Sequence, residues 1–160
     1  MPTFQTDISA GQLAAATNFS ARINDSRRVD GPLETLDSIY TVANPTTEAT
    51  NDIIIVGDIP VGAIVYPEES FFYTETDIGT LLTLDVGDSE DPDRYADGSD
   101  VSAVGRVEFT TAVKNVAGVV TRYKVTETTR RIQATIVGTV TALTPGTKLH
   151  FKVKYKCLGT

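Results

Sequence analysis

Tryptophan is absent from this chain, and cysteine and histidine each occur once, as Cys157 and His150. Each scarcity removes a class of chemistry. A lone cysteine excludes an intrachain disulfide, and with it the disulfide-built secreted scaffold. One histidine and one cysteine fall short of a structural zinc site. They cannot form a Cys–His nucleophile pair on one strand either. Positions 150 and 157 differ by an odd number, and strand side chains alternate faces with a period of two. His150 therefore reads as a solvated or interface histidine and Cys157 as a small buried hydrophobe. Without tryptophan, the usual stacking platform for sugars is missing. The chain has no Gly-rich phosphate loop, no G-x-S-x-G elbow and no H-E-x-x-H. No run approaches the roughly 18 apolar residues of a membrane span. The opening MPTFQTDISAGQLAAA lacks the basic region of a secretory signal, so assembly in a cytoplasm is expected. These absences point away from an enzyme, a cofactor and a membrane partner.

What is present is β-branched. Val, Ile and Thr crowd the second half of the 160 residues. Such side chains lose rotamer freedom in helices and suit pleated surfaces. With 41% apolar and 22% charged residues, the chain has the composition of a globular domain. Residues 1–34 carry few large apolar groups and read as an extended arm, with one short helix expected at Ala10–Thr17 behind a Ser9 cap. Residues 35–160 read as the β body.

Strand signals follow one another through that body. Leu36–Val42 is closed by Asn44-Pro45, and Asp52–Val56 holds three consecutive isoleucines, which suit a strand buried on both faces. Val61–Tyr66 is a further short strand. Ser70–Glu75 and Thr80–Val86 flank Asp77-Ile78-Gly79 and are expected to pair as a hairpin. Val101–Phe109, Val119–Thr128 and Arg130–Leu143 follow. Thr144-Pro145-Gly146-Thr147 fits a type II turn. Lys148–Leu158 alternates most strictly, with Leu149, Phe151, Val153, Tyr155 and Cys157 on one face and Lys148, His150, Lys152, Lys154 and Lys156 on the other. Residues 130–158 are expected to form one long hairpin. About eight strands between turn signals imply an all-β fold, an antiparallel sandwich or jelly-roll-like body behind the arm.

Charge divides sharply along the chain. Residues 1–84 hold 3 basic and 12 acidic side chains, residues 85–100 hold 1 and 7, and residues 101–160 hold 10 and 2. An acidic front and a basic back can steer subunits into register. The net charge of −7 argues against nucleic acid as the main partner.

The densest acidic stretch is LDVGDSEDPDRYADGSD, Leu84–Asp100. Gly87, Pro92 and Gly98 argue against regular strand through it, and a helical turn is expected at Pro92–Ala96 with Asp91 as cap. Asp85, Asp88, Glu90, Asp91 and Asp93 could furnish calcium oxygens, but their spacing is not that of an EF-hand loop. Nothing separates an acid from a base as glycoside cleavage requires. The stretch reads mainly as an excursion from the sheet. In it, Tyr95 packs inward, Arg94 pairs with a local carboxylate, and Asp91 and Asp93 face solvent or a neighbouring copy. The lysines of the last strand, a stripe about 25 Å long at ~3.3 Å per residue, have two readings. One is protection of a sheet edge, the other docking onto an acidic surface.

Two further pieces carry a resemblance. TVANPTTEATNDIIIVGDIPVGAIV, Thr41–Val65, and DIGTLLTLDVGDSEDPDRYADG, Asp77–Gly98, resemble small structural proteins of tailed bacteriophages, the head-associated or capsid decoration type. The likeness spans about half the chain, roughly residues 35–110. It implies a non-enzymatic virion component that binds the outside of the head lattice, works as a homo-oligomer with a trimer favoured, and partners the major capsid protein or another virion protein. Head–tail joining, a fibre or tail module, and a receptor- or carbohydrate-binding module remain alternatives. The contact residues expected on this reading are Arg27 and Arg28 in the arm, Phe71, Phe72 and Tyr73, Asp91, Asp93, Arg94 and Tyr95, and Lys148, Lys152, Lys154 and Lys156.

Overall fold

The computed structural model describes the backbone of residues 3–5, and residues 33–44, 46–79, 82–109, 122–138, 140 and 143–157. The strands among them are β1 (Thr3–Gln5), β2 (Glu34–Thr41), β3 (Ile53–Asp58), β4 (Ile64–Val65), β5 (Phe71–Thr74), β6 (Thr83–Gly87), β7 (Ala96–Asp100), β8 (Gly105–Glu108), β9 (Arg131–Ile136) and β10 (Lys148–Lys156). A 3-10 turn, Pro67–Glu69, begins at a proline, where a missing N–H costs nothing. The helix expected at Ala10–Thr17 lies outside the described residues.

The strands form two sheets. One runs β1-β3-β9-β6-β7 and the other β2-β10-β5-β8, with β4 also against β10. The pairing is nested: β6 with β7, β5 with β8, β3 with β9 and β2 with β10, all antiparallel. These are the rungs of one long hairpin wound around a core. The winding brings β9 beside β6 and β10 beside β5, which completes the two sheets of a jelly roll. The all-β sandwich read from the sequence is therefore the architecture. The connections after β2, β5, β7 and β9 gather at one end of the sandwich. Those after β3, β6 and β8 lie at the other, together with the entry to β2.

Period-two patterning explains the core. Leu36 and Tyr40 of β2, Leu149, Phe151 and Val153 of β10, Ile132, Ala134 and Ile136 of β9, and Leu84 and Val86 of β6 all point inward. Phe72 sits at their centre, its ring 4.6 Å from Phe109 and 5.5 Å from Phe151. Ile54 and Val56 join this core, while Ile55 is buried outside it and Ile53 is half-buried.

Several local expectations are corrected. Strands β5 and β6 do not form a hairpin, since Asp77-Ile78-Gly79 carries the chain from one sheet to the other, with Ile78 fully buried. Strands β9 and β10 also lie in different sheets, although the turn between them has the expected glycine, Gly146 at φ 79°. Alternation reports which side of a strand is buried and is silent on which sheet the strand joins. Residues 122–128 of the expected strand Val119–Thr128 make only one bridge, Lys124 to Ile64. The Thr126 N–H donates to the Thr129 hydroxyl at 2.9 Å, so a threonine side chain takes the place of a ladder partner. Residues 92–95 form turns and bends with no helix, and β7 begins at Ala96 and runs through Gly98. A register shift in β6, between Leu84 and Val86, absorbs the irregularity, and Gly98 at φ 60° donates its N–H to Asp85 Oδ1 at 2.7 Å.

Candidate functional site

The outward face of the β2-β10-β5-β8 sheet is built by residues whose neighbours in sequence fill the core. Cross-strand register sets them in rows. One row is Ile39, His150, Tyr73 and Arg106, and the next is Asp37, Lys152, Phe71 and Glu108. The Tyr73 ring meets the His150 imidazole edge-on at 5.8 Å, and His150 Nε2 lies 3.4 Å from Glu75. The Arg106 guanidinium covers the Phe71 ring at 3.7 Å while pairing with Glu108 at 2.6 Å. Lys152 pairs with Asp37, and Lys154 Nζ donates to Thr35 Oγ1 at 2.5 Å. The result is a flat face with a central, 40% exposed tyrosine among charged groups held in place by one another. Rigid aromatic anchors within a charged surround are the composition of protein contact surfaces.

The middle of the acidic stretch, residues 88–95, forms a closed turn at the end of the sandwich where β6 passes to β7, with Asp85 on β6 and Asp97 and Asp100 on β7. Its hub is Asp88, whose side chain is 0% exposed. Asp88 Oδ1 accepts the N–H groups of Glu90 at 2.9 Å and Asp91 at 3.2 Å. Arg94 approaches Oδ2 with Nε at 2.6 Å and donates from Nη2 to Oδ1 at 3.4 Å. The Nε contact lies off the line of its N–H, so it acts as an ion pair and the directional bond is the one from Nη2. Tyr95, fully buried, directs its hydroxyl at Asp88 Oδ2 from 3.5 Å, and Arg94 stacks over Tyr123 at 4.8 Å. Burial works against the Arg94 charge, yet Asp88 beside it holds the guanidinium pKa above its ordinary value. Burial, then the Asp88 charge, push the Tyr95 phenol well up. The turn is tight enough that a Cβ at Gly87 would lie 2.0 Å from the Asp91 carbonyl oxygen. The carboxylates serve separate partners: Asp85 accepts from Gly98, Asp88 is consumed within the turn, and Asp91 lies beside Asp93, whose side chain holds its pKa above the ordinary value. Among the described residues no group of three or more His, Cys, Asp or Glu side chains is placed to hold a metal ion.

Part of the split of charge along the sequence resolves inside the chain. Asp37 pairs with Lys152, Asp58 with Arg131 at 3.1 Å and Arg130 at 3.5 Å, and Glu68 with Arg122 at 2.5 Å. Each joins the acidic front to the basic back, because the nested hairpin lays early strands beside late ones. Intrachain pairing thus takes up charges whose separation in sequence suggested contacts between subunits.

The expected contact residues disperse. Phe72 and Tyr95 are 0% exposed within the chain's own core, which removes them from any surface contact. Phe71, Tyr73, Lys152 and Lys154 share the outward sheet face with Lys148 and Lys156. Asp91, Asp93 and Arg94 lie on the closed turn, where Arg94 faces inward to Asp88. Arg27 and Arg28 fall outside the described residues. The aromatic cluster at 71–73 reduces to one exposed ring, Tyr73. The lysine strand is no sheet edge: β10 lies between β2 and β5, which overturns edge protection as the role of its lysines. Sequence reading missed Ile39, Glu75 and Arg106. The odd-numbered outward positions of β2 signal Ile39, whereas the placing of Arg106 on Phe71 depends on register between strands 35 residues apart in sequence.

Comparison with solved structures adds the fold's relatives. No family model matches the chain, and no curated protein matches it significantly. One similar chain belongs to the capsid of Ralstonia phage GP4, with a TM-score of 0.60, 19% identity, and 97% of each chain covered. A second belongs to the capsid asymmetric unit of cyanophage Pam1, with a TM-score of 0.54, 21% identity, and coverage of 89% of this chain and 98% of that one. This chain shares its fold with chains of two phage capsids. The likeness runs the length of the jelly roll and includes more than the half of the chain that carried the sequence resemblance.

Proposed function

We propose that the protein is a non-enzymatic structural component of a tailed-phage virion, a decoration protein that binds the outside of the head lattice. The observation that carries this is the end-to-end match, 97% of both chains, to a chain in a phage capsid. The surface supports it: the outward sheet face offers Tyr73, Ile39 and ordered ion pairs. On this reading the protein works as a homo-oligomer, with a trimer favoured, and its partner is the major capsid protein or another virion protein. Residues 1–34, Arg27 and Arg28 included, act as a contact arm around the β body of 35–160. Each copy contributes modest contacts, and their repetition over the lattice holds neighbouring subunits together. Binding the assembled shell in preference to its free subunits shifts the assembly equilibrium toward the shell.

Cosedimentation of purified protein with phage heads stripped of their accessory proteins tests the reading, with light scattering giving the mass of the free protein. Saturable binding to heads, and heads that withstand more heat or osmotic shock once bound, are expected. Absence of the protein from purified virions would overturn it.

A further inference from the structure

The sandwich has one parallel pairing among the described strands. Thr3, Phe4 and Gln5 of β1 sit opposite Ile53, Ile54 and Ile55 of β3. Without β1, β3 would be the exposed edge of its sheet, a consecutive isoleucine strand of high β propensity with one row of backbone donors and acceptors unpaired. Two other facts bear on where β1 comes from. Strand β1 runs toward the end of the sandwich at which β2 begins, and β2 packs across from β3. Facing sheets lie about 10 Å apart, and an extended chain advances ~3.3 Å per residue, so a handful of residues would join β1 to β2 within one copy. The sequence supplies residues 6–33 between them, 28 in all. At the same rise that is a reach of about 90 Å. A connection so much longer than its span places little constraint on which copy's β3 receives the strand. A three-residue ladder also repays little of the entropy of closing so long a loop.

We infer that the edge of β3 is a strand-acceptor site for the N-terminal strand of a second copy. Neighbouring copies then exchange residues Thr3–Gln5, and each copy completes the sheet of the next. The inference rests on the proposed assembly of many copies on one lattice. Its chemistry is backbone pairing at a sheet edge, which needs no side-chain complementarity beyond strand-forming residues and converts a sheet edge that invites unspecific association into a specific joint.

Engineered cysteines test it, in a Cys157→Ser background. Thr3→Cys and Ile53→Cys, opposite each other in register, are placed on separately tagged copies, co-expressed, oxidised and run on a denaturing gel. Thr3→Cys alone reports collisional cross-linking. The expected result is a reducible heterodimer well above that background, and a ladder of covalent multimers from the chain carrying both substitutions. A doubly substituted chain that cross-links only within itself overturns the exchange, and so does a chain that forms no cross-link at all. As a second readout, the chain lacking residues 1–5 should melt as the full chain's monomer does and lose the higher mass seen by light scattering. An unchanged mass would overturn the inference. Head binding separates this failure from that of the proposed function. A self-linked chain that still cosediments with heads overturns exchange alone. A multimer ladder from a chain that fails to bind heads overturns the head-binding role and supports the exchange.

Discussion

Replacing Asp88 by alanine should be among the most costly single changes in the molecule. The carboxylate is 0% exposed and meets two backbone N–H groups, the Arg94 guanidinium and the Tyr95 hydroxyl. Its removal leaves Arg94, 17% exposed on its side chain, with a charge that has lost its nearest counter-ion. Breaking a buried pair from one side costs about 3–5 kcal/mol, and each orphaned buried donor adds about 1–3 kcal/mol. The full sum is not expected. Glu90 at 3.9 Å and Asp91 at 4.0 Å can take over part of the Arg94 charge, and Glu90 and Asp91, whose N–H groups lose their acceptor, stand at an exposed and a half-buried position. A loss of about 3–4 kcal/mol follows from these limits. At ~2–4 °C per kcal/mol for a domain of this size, the melting temperature should fall by roughly 6–16 °C. Circular dichroism at pH 7 measures it. Arg94→Leu tests the coupling: with the charge gone as well, the double variant should be less destabilised than the two single losses added together. Asp88→Asn should lie between, since an amide oxygen still accepts from the loop. Chelator should leave the melting temperature of the unaltered protein unchanged. A fall below ~1 kcal/mol for Asp88→Ala would refute the view that this carboxylate organises the turn. A chelator-sensitive melt would move the acidic stretch back to a metal site.

Three other predictions test separate parts of the structure. Tyr73→Ala should weaken head binding by tenfold or more, the scale of an interface anchor worth ~1.4 kcal/mol or more, and should barely move the melting temperature; cosedimentation that is indifferent to it would exclude this face as the contact. Glu48 accepts hydrogen bonds from the Tyr40 hydroxyl at 2.5 Å and the Ala43 N–H at 2.7 Å, which outweigh its burial and lower its pKa. Its stabilisation is therefore complete above the unfolded value of about 4.3 and is lost as pH falls through the lower folded value. The melting temperature gap between wild type and Glu48→Gln should narrow from pH 7 to pH 3, and a constant gap would contradict the assignment. Phe72→Ala should cost about 3–5 kcal/mol in urea unfolding, whereas Lys152→Ala, which removes a partly exposed ion pair, should cost under about 1 kcal/mol; comparable losses would mean the core has been misidentified.

Local structure was legible in the sequence where a strand has one wet face. β10 could be read residue by residue because Leu149, Phe151 and Val153 alternate with Lys148, His150, Lys152 and Lys154, and β2 followed for the same reason, whereas the strand expected at Arg130–Leu143 is β9 over Arg131–Ile136 only. Pairing was not legible. Both expected hairpins joined strands adjacent in sequence, yet adjacent strands of a jelly roll mostly cross between sheets, and no pattern along a single strand encodes that crossing. Threonine also misled. At 126–129 the hydroxyls bond one another and nearby N–H groups, so residues of high β propensity make a turn. For the candidate surface, the exposed positions of β10 were identified correctly as a group, but edge protection and docking stood side by side as readings, since only the position of β10 between β2 and β5 removes the first. In the acidic stretch the roles of Tyr95 and Arg94 were readable, one the large apolar group in a polar run and the other its lone cation. The hub was not, because Asp88 differs from its acidic neighbours only in being folded under.

The nested topology also changes what the charge pattern implies for assembly. In a hairpin wound on itself the first strand meets the last, so an acidic beginning and a basic end become neighbours within one molecule: Asp37 with Lys152, Asp58 with Arg131. Such pairs reward the correct register of distant strands during folding and penalise slips that set like charges opposite one another. They leave less opposite charge for long-range attraction between copies. What remains unbalanced is the stretch 85–100, with 7 acidic and 1 basic side chain, set at the end of the sandwich where β6 turns into β7. On the proposed assembly, repulsion between these ends would keep copies apart there, and contacts between copies would come from elsewhere. Among the described residues, the outward sheet face and the β3 edge offer partners without opposing that charge.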